Sequence, residues 1–229
     1  MNKKINSNSA IEKKDKNHFS SLKKYSGKSL RLELEKLELR LLKLLDFNSS
    51  KYNNLDDKQI KAIREALRVF SKSLEEGKPY SLNILGFKII LKVLPLKWKY
   101  SKVLSNIETK EPTYLEVGIF PKENSLISFL HELSHILTWN FVKDLYLETS
   151  LSKAVIRKVL TEIEAWKKVL EITEKLRFDL NRKMLEYLLI YSLEAYFKEY
   201  SPMEDNLSKI FREEKEKGFF SLKKEINGD

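Results

Sequence analysis

The sequence predicts an α+β fold that is predominantly helical, with a helical hairpin near its N-terminal end and one small, mainly antiparallel sheet. Three observations carry that expectation. Leucine-rich stretches between residues 29 and 76 repeat with a helical period. Short Ile/Leu/Val/Phe runs broken by Gly and Pro fill 80–120, and from Glu123 onward the pattern is helical again. Strands and helices therefore occupy separate blocks of the chain, which is the signature of α+β segregation. The 229 residues, 42% hydrophobic and 33% charged, suffice to bury the core of one good-sized domain.

Residues 1–28 mix Asn, Ser and Lys with almost no periodic apolar residue, and they read as a disordered basic arm. Eight Lys against Glu12 and Asp15 give this arm +6 of the formal net charge of +10. Such an arm offers weak, salt-sensitive contact with nucleic acid or another polyanion. Phe19 and Tyr25 are too few for base-stacking readout. The arm lacks the apolar stretch of a secretory signal. No apolar run reaches the roughly 18 residues that a bilayer span needs. The expectation is a cytoplasmic protein with no membrane span.

The helical hairpin is expected over 29–78. Leu30, Leu34, Leu37, Leu41 and Leu44 recur at alternating spacings of four and three, a single helical stripe, with Ser29 as its N-cap. A second helix runs from about Asp56 to Glu76 with Ile60, Ile63, Leu67, Phe70 and Leu74 on one side, ended by Gly77 and Pro79. The stripe is too short to specify a coiled coil. Oligomeric state stays open.

Residues 79–229 form the remaining unit. Short runs broken at Gly86 and Pro95, and Tyr114 to Phe120 closed by Pro121, read as three or four strands. Helices are expected near 124–140, 150–177, 180–200 and 203–217.

The first of these carries His131-Glu132-Leu133-Ser134-His135. Leu126, Leu130, Leu133 and Leu137 share a face that would enter the core, while His131 and His135 project together from an adjacent face. Two imidazoles at this separation can reach one metal, and the Glu132 carboxylate can act as a general base beside it. With no cysteine in the chain, thiolate sites and disulfides are excluded. A third ligand must come from elsewhere, because His18 lies in the basic arm.

Glu162 and Glu164 are the candidates. Val155, Val159, Trp166 and Val169 share the helical face of Glu162, so that carboxylate emerges from apolar surroundings and needs a charge partner. Charged and polar residues surround Glu164, which reads as solvated. Helical geometry favours Glu162, with Glu164 as the alternative.

A helix bearing H-E-x-x-H and a later helix giving a glutamate resemble the gluzincin type of zinc metallopeptidase. The run Glu162-Ile163-Glu164-Ala165-Trp166 is most similar to minimal members, including the ImmA/IrrE-type regulatory peptidases. In those, the first Glu of the run lies about 27 residues beyond the second histidine and is the ligand. Glu162 stands 27 beyond His135. The resemblance covers about Tyr114 to Leu176. It implies a zincin-like metallopeptidase domain over 79–229, Zn²⁺ held by His131, His135 and Glu162, catalysis through Glu132, and a peptide or protein substrate. It also implies that the strand Tyr114 to Phe120 lies at the sheet edge and binds an extended peptide.

Tyr187 and Tyr191 are read as core residues. Ser128, Ser134 and Thr138 flank the histidines, more as small packing residues than as groups that orient them. The contrasting expectation is a non-enzymatic regulatory or interaction protein with a structural metal and a basic arm that binds a polyanion.

Overall fold

The computed structural model describes residues 27–47, 54–94, 101–105, 111–118, 122–218 and 220. The basic arm lies outside these, except that Gly27 and Lys28 open the first helix. In chain order the described elements are α1 (Gly27–Leu45), α2 (Asp57–Glu76), β1 (Tyr80–Ile84), β2 (Phe87–Leu94), β3 (Lys102–Ser105), β4 (Pro112–Gly118), α3 (Lys122–Leu137), α4 (Trp139–Glu148), α5 (Ala154–Leu176), α6 (Arg182–Tyr200) and α7 (Asp205–Glu216). The fold is α+β and mostly helical, around one small sheet.

The leucine stripe of α1 behaves as its spacing dictates. Leu30, Leu34, Leu37 and Leu41 are buried, and Leu44 is half-buried. Helix α2 starts at a capping box, in which the Asp56 carboxylate accepts from the Gln59 N–H and the Gln59 side chain accepts from the Asp56 N–H. It stops at Gly77, whose φ of 65° is the left-handed C-cap that glycine adopts without steric cost. The two helices then take separate seats. Helix α1 packs on α5, whereas α2 lies against β1 and β2. Phe70 of α2 stacks on Phe129 of α3 with centroids 4.3 Å apart, and one continuous core includes residues of both helices.

β1 and β2 form a hairpin closed by Leu85 and Gly86, both at positive φ, with the Gly86 N–H donating to Asn83 Oδ1. The sheet order is β1-β2-β4-β3. Its outer pairings are antiparallel and the central β2–β4 pairing is parallel, so the sheet is mixed. The expected edge strand needs correction here. β4, which contains Tyr114, is hydrogen-bonded on both sides, and the border strands of the described sheet are β1 and, next to β4, β3. Local sequence does not distinguish the two positions, because a strand's place in a sheet is set by pairings with distant segments.

The motif helix also ends earlier than expected. Thr138 stands at φ −94°, ψ 7° between α3 and a separate helix α4, and its hydroxyl donates back to the Ser134 carbonyl.

Helix α5 is the axis of the molecule. It packs against α1, α3, α4 and α6, and its middle is buried on every side. Charged residues on such a helix must find partners inside. The Lys167 ammonium lies between Glu164, at 2.7 Å, and Glu38 of α1. Lys168 pairs with Glu171 at 2.9 Å, and Glu171 also accepts the Leu55 N–H.

Two carboxylates and one ammonium leave the first of these groups short of positive charge. Burial pushes the Glu38 carboxyl up to about 8 from an ordinary 4.5, the Glu164 hydrogen bond and charge add to this, and Lys167 pulls against it. Between those pH values the folded chain keeps a proton that the unfolded chain releases, so this group lowers stability as pH rises. Glu38→Gln keeps the shape without the titration. Thermal unfolding followed from pH 5 to 8 should fall less steeply in this variant than in the wild type. Equal slopes would show that Glu38 holds no such proton.

Candidate metal centre

The site forms where α3 crosses α5. Core residues Ile127, Leu130, Leu133 and Ile136 anchor α3. The i, i+4 spacing then turns His131 and His135 toward α5 with their ring centroids 4.7 Å apart. From α5, Glu162 reaches the same point and is only 2% exposed. These three residues form a group able to hold a metal ion.

The distances suit that use. Three donors in tetrahedral directions about 2.0–2.1 Å from one ion stand roughly 3.3 Å from one another. Here His131 Nε2 lies 2.9 Å from Glu162 Oε1, His135 Nε2 lies 3.5 Å from Glu162 Oε2, and the two Nε2 atoms are 3.2 Å apart. Two imidazoles and a carboxylate are donors that divalent transition metals accept.

The electrostatics agree. Burial alone would raise the Glu162 pKa, but the charges and hydrogen bonds of His131 and His135 hold it well below the usual carboxylate range. Burial works against charge on His135, yet its hydrogen bond to Glu162 and the Glu162 and Glu132 charges lift its pKa above the ordinary value. The site is therefore a buried carboxylate kept charged by two imidazoles, a donor set that could also hold a metal ion.

Glu132 is buried beside the group without belonging to it. Desolvation raises its pKa, the histidines partly offset this, the Glu162 charge adds to it, and a hydrogen bond from the Val103 backbone lowers it. That contact brings border strand β3 against the site.

Glu164, the alternative ligand, points elsewhere. It is buried with Lys167 and Glu38, which corrects its reading as solvated. The polar offsets around it were sound, but α1 covers that face of α5 and encloses them.

A cleft of about 530 Å³ opens onto the site, lined by His131, Glu132, Glu162 and an apolar wall that includes Ile127, Trp166, Tyr187, Leu188 and Tyr191. Tyr191 is 45% exposed, so it lines the cleft rather than the core as expected. The Ser134 and Thr138 hydroxyls donate to backbone carbonyls of α3, in keeping with their reading as packing residues.

Sequence reasoning missed two neighbours of Glu162, Ser192 and Tyr196. The Ser192 hydroxyl donates to Glu162 Oε1 at 2.7 Å, and the Trp166 indole N–H donates to Ser192 Oγ at 3.1 Å. Tyr196 also hydrogen-bonds Glu162, and the Glu162 charge, then burial, push its phenol pKa upward. The available signal was spacing. Leu188, Ser192, Ala195 and Tyr196 share one face of α6, the last three at four, seven and eight residues from the first, but nothing local says which element that face meets. No protein-family model, curated protein or solved structure matches this chain.

Proposed function

We propose that this protein is a zinc-dependent hydrolase that cleaves peptide bonds in a protein substrate, a gluzincin-type activity. The observation that carries the reading is the convergence of His131, His135 and Glu162, each imidazole Nε2 within 3.5 Å of a Glu162 oxygen, with a separate buried carboxylate, Glu132, lining the same cleft.

A zinc ion in this group supplies a Lewis acid and makes water acidic enough to ionise near neutral pH. The residues do the rest. Glu132 takes the proton from the attacking water and passes it to the leaving amine. Its raised pKa suits both halves of that task, because a carboxyl with ordinary acidity would give the proton up too readily.

Strand β3 supports a peptide rather than a compact substrate. Among the described residues β4 is its one strand partner, and it passes beside Glu132, so an extended chain could add to its other edge. The aromatic wall of the cleft suits an apolar side chain next to the scissile bond.

The first test is metal content. Wild-type protein loaded with Zn²⁺ and dialysed should retain about one ion per chain by atomic emission, as three ligands require. His135→Ala should retain almost none. Equal metal in the two proteins, or none in the wild type, would overturn the reading.

A further inference from the structure

Metal-binding histidines usually donate their second ring N–H to a carboxylate or carbonyl, which fixes the ring. His131 breaks that habit. Its Nδ1 is buried and has no hydrogen-bond partner among the described residues. The ring lies instead over the Trp166 indole, with centroids 4.4 Å apart and planes 30° from parallel. The same indole uses its N–H on Ser192 Oγ, and Ser192 donates in turn to Glu162 Oε1. One side chain therefore touches His131 with its face and steers Glu162 through its edge.

We propose that Trp166 and Ser192 are positioning residues that couple His131 and Glu162 into a single preset pair of metal ligands. The proposal rests on the metal reading given above and deepens it. Trp166 follows Glu162 by four residues on α5, so its indole rises beside that carboxylate on the same face. Ser192 comes from α6, which makes the closure of α6 onto α5 part of the metal site. Without the serine hydroxyl, Glu162 would lose one of the bonds that set its rotation. Without the indole face, His131 would keep its Nε2 contacts to Glu162 and His135 but lose the ring contact that makes up for its unbonded Nδ1.

The chemistry separates the two contacts. Trp166→Phe keeps a ring for His131 and removes the N–H, Ser192→Ala removes the hydroxyl alone, and Trp166→Leu removes both contacts of the indole. Ser192→Thr retains the hydroxyl, and the half-buried position beside the cleft leaves room for its methyl group.

The experiment measures Zn²⁺ affinity of the full chain by competition with a chromophoric chelator. Each variant's metal-free melting temperature and the visible spectrum of its Co²⁺ form are recorded in parallel. Ser192→Ala and Trp166→Phe should bind about ten- to a hundred-fold more weakly than the wild type, the range for lost outer partners of metal ligands. Trp166→Leu should be weaker still. Ser192→Thr should stay near the wild type, and the Co²⁺ bands should shift in the weakened variants only.

Affinities within two-fold of the wild type for Ser192→Ala and Trp166→Phe would overturn the proposal while leaving the metal site standing. A loss in Ser192→Thr as large as in Ser192→Ala, matched by a lower melting temperature, would assign these residues to packing and overturn it too. A wild type that binds no Zn²⁺ overturns the metal reading and this proposal together.

Discussion

Glu132→Gln is expected to abolish peptide hydrolysis while leaving metal content at the wild-type level. The carboxylate is buried next to the two histidines but stands outside the three-residue group that converges on one point. The amide has the same shape, and its oxygen can still accept from the Val103 backbone. It cannot take a proton from water, and loss of a positioned general base costs about 10²–10⁴-fold in rate. Replacing a buried, desolvated carboxyl by a neutral amide also removes a charge that the interior disfavours. The variant should therefore melt no lower than the wild type. Cleavage of a quenched fluorescent peptide library, with metal measured on the same samples, provides the check. Wild-type turnover would remove Glu132 from the chemistry, and loss of metal would make it a ligand.

The second large effect is a contrast between two glutamates that are two residues apart. Glu162→Ala should lose metal by more than the 10–100-fold typical of an outer partner, because it deletes a donor itself. Its effect on folding is smaller, since it removes a buried carboxylate and the interior no longer has to accommodate that charge. Glu164→Ala should do the reverse. It removes one of the carboxylates that Lys167 pairs with in the interior, and the lost buried charge–charge hydrogen bond costs about 1.5–3 kcal/mol. Metal content should not change. Chemical denaturation and metal analysis of both variants separate the roles, and metal loss in Glu164→Ala alone would exchange them.

Much of this arrangement was legible in the chain, for reasons that differ by element. The stripe of α1, the capping box of α2 and the i, i+4 histidines are short-range patterns, and helical periodicity is enough to read them. Glu162 was legible because apolar neighbours at helical offsets mark a buried face. The position of β4 inside the sheet was not, since hydrogen-bond partners of a strand come from remote segments. The burial of Glu164 was hidden for the same reason. Its cover is α1, and Glu38 is a charged residue in a helix whose leucines alone explain its packing. Trp166 was visible as the end of a motif, but its service to His131 depends on the crossing of α3 over α5. Ser192 and Tyr196 belong to a helix whose contact with α5 no local pattern announces.

The enclosure of α5 has a consequence for how the site lives in time. Helices surrounded on all sides open only with the whole molecule, whereas border strands and their neighbours open locally. Glu162 sits on the former and the contact to Glu132 on the latter. Amide hydrogens around Glu162 belong among the slowest to exchange with solvent, and those of β3 among the fastest. Glu162 is thus clamped to the part of the protein that opens last, while the strand beside Glu132 is a part that opens first.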